Sequence, residues 1–253
     1  MQRATVWFRE GTTAAEFADT LRTALLHNKL VVTKGLDASR EQRPFWDDVT
    51  ERAGEVISLG ERPSGEKTGE KWLEIRYDPA IKNAYRHANI AQPMHTDGSY
   101  LSNAPDVVFF YCLHQASSGG ETTFFDSEAL IDLLSKSDKP LLRDLMTTAV
   151  KFSKVDDHKT RKIIDEDNLG PVLNWNYYCI DPASPPEHKA LAERFHDFLE
   201  TRVVGENQAL PVRLEPGHAV FFHDERLIHG RNAFDAKLAN DRFFWKTAFR
   251  LRY

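Results

Sequence analysis

The sequence predicts a mainly β fold with an α/β N-terminal portion, in which a jelly roll, or double-stranded β-helix, carries helical insertions. Many short segments rich in aromatic and β-branched residues follow one another over roughly 72–250. They share no fixed repeat, which favours a sandwich or jelly roll. Helical patterns prevail near the N-terminus. We therefore expect one domain over 1–253, with an N-terminal portion at 1–70 and the jelly-roll core at 71–253.

The N-terminal portion combines helix and strand signals. Thr13 and Glu16 form a capping box, which predicts the start of a helix. Apolar residues then recur every four positions on one helical face, at Phe17, Leu21 and Leu25. The strand-like segment LVVT follows at 30–33, and a second helix is predicted over 39–53. The charged, glycine-punctuated stretch at 60–71 predicts a mobile loop.

The core contains strand patterns separated by helices. The predicted strands are WLEIRY at 72–77, VVFFYCLH at 107–114, TTFFD at 122–126, PVLNWNYYCI at 171–180, AVFFH at 219–223 and FFWKTAF at 243–249. Helices are predicted over 127–147 and 186–203. The polar stretch at 154–170 predicts an irregular loop, and a lid that closes over substrate is an equally good interpretation.

Composition limits the class of partner. The net charge of −5 and the absence of a run of Lys and Arg argue against nucleic acid or a membrane as partner, and favour a small molecule. No signal-peptide pattern and no apolar run of about 20 residues occur, so we expect a cytoplasmic protein. Cys112 and Cys179 lie in apolar segments and predict buried free thiols. A homo-oligomer stays open.

Two His-x-acid pairs compete as part of a metal site. With 10 histidines and 38 acids in 253 residues, one or two such pairs are expected by chance. His95 and Asp97 lie two apart in an extended segment, so their side chains point to the same side. His229, which follows an apolar strand, can complete a facial triad of two histidines and one carboxylate, the ligand set of mononuclear non-haem Fe(II). The rival pair, His223 and Glu225, is too crowded locally to present three ligands on one face.

A facial triad leaves positions open for a co-substrate and dioxygen. A 2-oxo acid in those positions needs a cation for its far carboxylate, and the planar fork of arginine suits it best. Arg242 opens the aromatic strand that follows His229. Thr122 comes directly after the Gly-Gly turn of SGGETTFF, and its hydroxyl can complete the clamp.

These motifs in this order resemble the Fe(II)/2-oxoglutarate-dependent dioxygenases of the TauD/TfdA type, including the γ-butyrobetaine and trimethyllysine hydroxylase branch. The residues that carry the resemblance are HTD at 95–97, GGET at 119–122, HGR at 229–231 and Arg242. The ordered combination is specific although each motif alone is not.

The resemblance implies a set of roles. Iron would be bound by His95, Asp97 and His229, and 2-oxoglutarate by Arg242 and Thr122. The implied reaction uses O₂, releases succinate and CO₂, and hydroxylates an aliphatic C–H bond. Because a carboxylate ligand stands at Asp97, hydroxylation is favoured over halogenation.

The expected substrate is a small polar molecule, amino-acid-like or betaine-like. Candidate substrate residues lie beside the iron ligands or in the aromatic segment: Tyr100, Asn174, Trp175, Tyr177, Arg231 and Lys246. Lys246 stands where some relatives carry a second arginine. Three alternatives stay open: the same chemistry on a hydrophobic secondary metabolite, a non-catalytic jelly-roll binding module, and a metal-dependent hydrolase or isomerase, which would not need Arg242.

Overall fold

The computed structural model describes residues 3–37, 42–58, 67–81 and 84–252. The α-helices of this part are α1 (Ala14–His27), α2 (Arg43–Ala53), α3 (Ser127–Ser137), α4 (Lys139–Thr147) and α5 (Pro186–Phe198). The strands are β1 (Arg3–Trp7), β2 (Leu30–Lys34), β3 (Gly54–Ile57), β4 (Leu73–Arg76), β5 (Gln92–His95), β6 (Val107–His114), β7 (Thr122–Asp126), β8 (Ala149–Lys154), β9 (Asp157–Lys162), β10 (Ile164–Asp167), β11 (Gly170–Leu173), β12 (Leu210–Val212), β13 (Ala219–His223), β14 (Leu227–Arg231) and β15 (Phe243–Leu251).

Two sheets make the jelly roll that the sequence predicts. The major sheet has the order β1-β2-β13-β6-β15-β3, with β4 also paired to β15, and the minor sheet has the order β12-β7-β14-β5. Their inner faces pack on each other: the rings of Phe124 on β7 and Phe222 on β13 are 4.9 Å apart in an edge arrangement. Two hairpins, β8-β9 and β10-β11, complete the pairing in the described residues.

The central strands of the major sheet are apolar throughout because both of their faces are buried. Phe110 and Phe222 point inward between the sheets, with ring centroids 5.5 Å apart. Phe109 and Phe221 point outward and stack at 4.4 Å. Trp46 of α2 covers both of these outer rings, at 4.9 and 5.8 Å. The alternation of β-strand side chains therefore produces one layer inside the jelly roll and another under the N-terminal helices.

The N-terminal α/β portion is confirmed and contributes strands to the major sheet. Thr13 caps α1 in the predicted capping box with Glu16. β1 and β2 pair in parallel, as a crossover through α1 requires. β2 then pairs with β13, and β3 with β15. Helices α1 and α2 bury the outer face of this sheet.

Helices α3 to α5 cover the outer face of the minor sheet. Their apolar side chains share one core cluster with Met94, Phe125 and Ile228, which come from β5, β7 and β14. The neighbouring residues His95 and His229 point the opposite way, toward the space between the sheets. None of the described helices is long and apolar enough to cross a membrane. The two cysteines are buried and free, as predicted.

Three element predictions need correction. The helix predicted over 127–147 is two helices, because Asp138 ends the first and caps the second through Leu141 N at 2.9 Å. The strand predicted over 171–180 ends at Leu173, and a 3-10 turn follows at Tyr177–Cys179. The loop predicted over 154–170 forms the polar strands β9 and β10, whose weak alternation hides them in the sequence.

Parts of two other predictions fall outside the described residues. The second helix is seen from Arg43, and the predicted positions 39–41 lie outside that part of the chain. The predicted loop at 60–71 is described only from residue 67 onward.

Candidate active site

A cavity of about 470 Å³ opens between the sheets. Side chains of β4, β5, β6, β14 and β15 line it, together with the segments 84–86 and 176–179. Its apolar lining consists chiefly of Leu73, Ile75, Phe110 and Phe244. Tyrosines also line it, at Tyr85, Tyr100, Tyr177 and Tyr178. The cavity is thus a mixed apolar and aromatic space of the kind that binds small molecules.

His95, Asp97 and His229 meet in this cavity. β5 and β14 pair antiparallel with His95 directly opposite His229, so the two rings lie 4.3 Å apart. Asp97 follows β5 and points between them, with Oδ1 3.7 Å from His95 Nε2 and Oδ2 3.7 Å from His229 Nε2. The donor atoms of the three side chains lie within 4.8 Å of one another, and this is the one such cluster among the described residues.

The protonation of the imidazoles suits metal binding. His95 Nδ1 lies 2.9 Å from Pro93 O, so it donates there and leaves the lone pair on Nε2, which faces Asp97. Burial, reinforced by His95, holds the pKa of His229 well below its ordinary value and keeps that ring neutral. Metal ions bind the neutral form of histidine.

Asp97 is held as an anion chiefly by the Lys246 ammonium rather than by exposure to solvent. Burial alone would raise the pKa of Asp97, but Lys246 and the two histidines overcome it and hold that pKa well below its usual range. Lys246 Nζ lies 2.6 Å from Asp97 Oδ1. Asp97 Oδ2 and His229 Nδ1 are buried without a hydrogen-bond partner in the described part of the chain. An orphaned carboxylate oxygen that faces His229 Nε2, with His95 Nε2 near the other oxygen of the same carboxylate, fits a metal ion, and the donor set is that of non-haem Fe(II).

A second acid lies behind the cluster. Asp224 follows β13, and its carboxylate accepts from the backbone N–H groups of Asp97 at 2.9 Å and Gly98 at 3.0 Å. Its Oδ1 also lies 3.8 Å from His229 Nδ1. Burial, with the charge of Asp97, raises the pKa of Asp224 to about 8. No local pattern in the sequence predicted these contacts, because the partners of Asp224 belong to distant segments.

Two buried guanidiniums lie side by side at one end of the cavity. Arg242 donates from Nε to Gly120 O at 3.2 Å, and Arg231 donates from Nη2 to the carbonyls of Ala88 and Ile90, both at 2.8 Å. Both stack near one ring, Phe234, at 5.5 and 5.1 Å. No described acidic side chain lies within salt-bridge distance of either guanidinium. The two cations therefore form a site for an anion that the chain itself does not supply.

Their pKa values remain high enough for both to stay charged. Burial, with Arg231 adding repulsion, lowers the pKa of Arg242 to about 9, and burial lowers the pKa of Arg231 to about 10. Thr122 lies beside them, because it stands opposite Arg231 in the pairing of β7 with β14, and it lines the cavity. Gly120 has φ +75°, and a Cβ there would lie 3.0 Å from Arg242 Nε. The Gly-Gly turn thus leaves room for the guanidinium.

The predicted substrate residues separate into two groups. Tyr100 and Tyr177 line the cavity, as Arg231 and Lys246 do. Asn174 does not line it: its amide donates to Ser99 O at 3.1 Å and ties two segments together. Trp175 is also outside the lining and fully buried against Phe195, at 4.7 Å. The backbone leaves the predicted strand before these two residues, which turns them into the core.

Trp175 is accordingly expected to stabilise the fold without touching substrate. Trp175→Ala should lower the free energy of unfolding by roughly 3–5 kcal/mol, the usual cost of removing a fully buried tryptophan. Denaturant unfolding measures this loss of free energy of unfolding. The milder variant Trp175→Phe is measured in the same way. Tyr177→Ala, which removes a cavity tyrosine that also stacks on His196, serves as the comparison. A Trp175→Phe variant with wild-type stability and an altered substrate KM would contradict this assignment.

The rival metal pair is separated from the site. His223 turns toward α1, with Nε2 2.9 Å from Leu25 O. Glu225 pairs with Arg161 at 2.9 Å. Neither lines the cavity. The hypothesis that His223 and Glu225 hold a metal fails on geometry.

Comparisons with known proteins agree with this geometry. A family model described as "Taurine catabolism dioxygenase TauD, TfdA family" matches residues 8–247. The uridine-5′-phosphate dioxygenase of an Amycolatopsis species is 27% identical over 182 residues, which are 66% of this chain and 63% of that protein. The gamma-butyrobetaine dioxygenase of Pseudomonas sp. strain AK-1 is 29% identical over 177 residues, 65% of this chain and 44% of that protein. The chain thus covers less than two thirds of either relative.

Solved structures resemble the whole described fold. The crystal structure of the PvcB protein from Pseudomonas aeruginosa covers 97% of this chain and 84% of its own, with a TM-score of 0.67 and 21% identity. At this identity the likeness shows the fold.

Proposed function

Because the chain belongs to the TauD/TfdA family of dioxygenases, we propose that it is an Fe(II)- and 2-oxoglutarate-dependent dioxygenase. It acts as one dioxygenase domain that hydroxylates an aliphatic carbon of a small polar molecule and releases succinate and CO₂. The substrate carries an anionic group and is amino-acid-like or betaine-like.

One observation carries the proposal: a buried His-Asp-His cluster shares a cavity with two buried guanidiniums that lack an acidic partner. The first element fits iron and the second fits a dianionic co-substrate. A non-catalytic module would need neither, and a metal-dependent hydrolase would need only the first. The combination therefore favours the oxygenase over both alternatives.

Each residue has a distinct task in this scheme. His95 and His229 would hold iron through Nε2 and Asp97 through the orphaned Oδ2, while Lys246 Nζ lies 2.6 Å from Asp97 Oδ1. Iron supplies open positions for 2-oxoglutarate and O₂, and oxidative decarboxylation of the 2-oxo acid provides the oxidising power for C–H cleavage. Lys246 limits Asp97 to one oxygen toward the metal, which leaves those positions free.

The co-substrate is oriented by the cation pair. Arg242 binds the far carboxylate of 2-oxoglutarate, with the Thr122 hydroxyl as a second donor. Phe244, whose ring lies 4.0 Å from the Arg242 guanidinium, covers that ion pair and keeps water from it. Phe110 lines the cavity beside the metal ligands, since its ring lies 6.2 Å from that of His229. The apolar walls thus hold substrate carbon near the iron and exclude solvent.

The charge of the lining supports an anionic substrate. Among the described lining residues the cations are Arg86, Lys154, Arg231, Arg242 and Lys246, whereas Asp97 is the one carboxylate. Iron and a dianionic co-substrate balance each other, so their binding leaves in place the charge of one guanidinium that has no acidic partner among the described residues, that of Arg231. A carboxylate or phosphate of the substrate would neutralise it. Tyr85 and Tyr178 of the lining would offer ring faces to an amine or quaternary ammonium at the other end of the same molecule.

The names of two relatives denote substrates of this kind. One is a uridine-5′-phosphate dioxygenase and another a gamma-butyrobetaine dioxygenase. Both names denote compounds with an anionic group, which agrees with the charge of this cavity.

A substrate screen tests the proposal. Free amino acids, betaines and nucleoside monophosphates are each assayed beside the uncharged ester or nucleoside, with succinate release and a product mass gain of one oxygen as readouts. We expect the anionic member of the productive pair to react at least about tenfold faster, since a charge-assisted hydrogen bond contributes roughly 1.5–3 kcal/mol. Lys154→Gln should raise KM for that compound. Lys151→Gln is the control, because Lys151 lies on the same strand but does not line the cavity.

Two results would contradict parts of the proposal. If only uncharged aromatic or polyketide-like compounds are turned over, the proposal of an anionic substrate is wrong, whereas the proposal of an oxygenase stands. If no compound of the panel supports Fe(II)-dependent succinate formation, and none forms without substrate either, the proposal of an oxygenase is wrong.

A further inference from the structure

We infer that Asp224 is a positioning residue that sets the relative orientation of two iron ligands, Asp97 and His229. The inference rests on the proposed function, because it concerns the metal site. Asp224 touches neither substrate nor co-substrate in this assignment, and it acts through the residues that bind the metal.

The first support is the pair of backbone bonds that the carboxylate accepts. Oδ1 accepts from Asp97 N at 2.9 Å and Oδ2 from Gly98 N at 3.0 Å. Two successive amides clamped by one carboxylate fix the two peptide planes on either side of the Asp97 Cα atom. Asp97 is no longer in a strand at this point, so the clamp replaces the restraint that a ladder of β-sheet hydrogen bonds would supply.

The second support is the position of the same oxygen relative to His229. Asp224 Oδ1 lies 3.8 Å from His229 Nδ1, a buried nitrogen that has no hydrogen-bond partner among the described residues. The opposite nitrogen, Nε2, faces Asp97 Oδ2 at 3.7 Å. Metal-bound histidines commonly direct the ring nitrogen that does not bind the metal to a carboxylate or carbonyl. One oxygen of Asp224 therefore stands between the backbone of one ligand and the imidazole of another.

The third support is burial. The Asp224 side chain is 0% exposed, and its backbone N donates to Asp106 O at 3.0 Å. Burying a carboxyl group completely costs free energy unless its oxygens are hydrogen-bonded. Asp126 is a buried acid of this chain whose contacts are purely structural, and it serves as the comparison for Asp224. Asp126 caps α3 through Glu128 N at 2.9 Å and pairs with Lys29 at 3.0 Å, outside the cavity.

The experiment is an anaerobic Co(II) titration of the wild type, Asp224→Asn and the matched control Asp126→Asn, with thermal unfolding of each metal-free protein. An asparagine amide cannot accept from both backbone N–H groups, and its NH₂ would oppose one of them. We expect Asp224→Asn to bind Co(II) roughly 10–100-fold more weakly, the usual cost of losing such a partner, and to show a changed visible Co(II) spectrum. Asp126→Asn should lose thermal stability but keep the wild-type Co(II) affinity and spectrum.

Equal Co(II) affinity and an unchanged spectrum in Asp224→Asn would overturn the inference and leave Asp224 a structural acid. A wild type that binds neither Co(II) nor Fe(II) would overturn the proposed function instead. A second measurement needs no variant. In the Zn(II)-loaded wild type, the His229 Nδ1 proton should be slow to exchange and shifted downfield in NMR spectra. A His229 Nδ1 proton in fast exchange with solvent would contradict the contact with Asp224.

Discussion

Alanine at His95, Asp97 or His229 is expected to reduce Fe(II)-dependent succinate formation to background in each of the three variants. Each residue supplies one of three donor atoms that lie within 4.8 Å of one another, so its loss leaves too few protein ligands to hold the ion. Anaerobic Fe(II) titration and succinate release measure the effect. Because Asp97→Ala also strips Lys246 of its partner at 2.6 Å, Asp97→Asn is tested beside it as the milder change.

His223→Ala is the matched control for this series. It removes a half-buried histidine that contacts Leu25 O near the N-terminal helices, so it should affect stability and leave Fe(II) binding intact. Circular dichroism verifies the fold of every variant. If His223→Ala loses iron while His95→Ala retains it, the assignment of the ligands is wrong.

Alternation along a strand explains why part of the site could be predicted. His95 and Asp97 face the cavity, whereas Thr96 between them turns away and bonds to the backbone of Trp175 through N at 2.6 Å and Oγ1 at 3.2 Å. The same rule placed Arg242, directly before β15, on the same side as Lys246 of β15, and both line the cavity. Short-range periodicity therefore decides which side chains share a face, and it can be read from the sequence.

Contacts between distant segments follow no such rule. Lys246 pairs with Asp97, which lies far from it along the chain. The partners of Asp224 are backbone groups of another segment. Asn174 lost its predicted contact with substrate because the chain leaves β11 one residue earlier. These features depend on how the sheets pack, which no local pattern records.

Polar strands escaped prediction for a related reason. β9, with the sequence DHKTRK, is half exposed and pairs only with β8, so its composition resembles that of a loop. Hairpin pairing, rather than a buried apolar face, defines it. Apolar strands such as β6 and β13 were predicted to the residue because their burial on both faces leaves an unbroken apolar run.

Arg242→Ala is expected to raise the apparent KM for 2-oxoglutarate by a factor of about 30 or more while Fe(II) binding persists. The guanidinium is 4% exposed and has no acidic partner among the described residues, so its charge is available to the far carboxylate of the co-substrate. Losing one member of such a buried charge pair costs roughly 2–5 kcal/mol. Succinate release at varied 2-oxoglutarate, and direct titration of the Fe(II)-loaded protein with it, measure the change.

Arg250→Ala is the control for Arg242, because Arg250 lies on β15, the strand that Arg242 directly precedes, but pairs with Glu55 at 3.1 Å, outside the cavity. It should leave the affinity for 2-oxoglutarate unchanged. Arg231→Ala separates the two guanidiniums beside Phe234: Arg231 is already engaged by two carbonyls, so we expect a smaller effect on that affinity and a loss of stability from the freed 88–90 segment. If Arg231→Ala weakens 2-oxoglutarate binding and Arg242→Ala does not, the anchor of the co-substrate is Arg231 and the assignment of Arg242 falls.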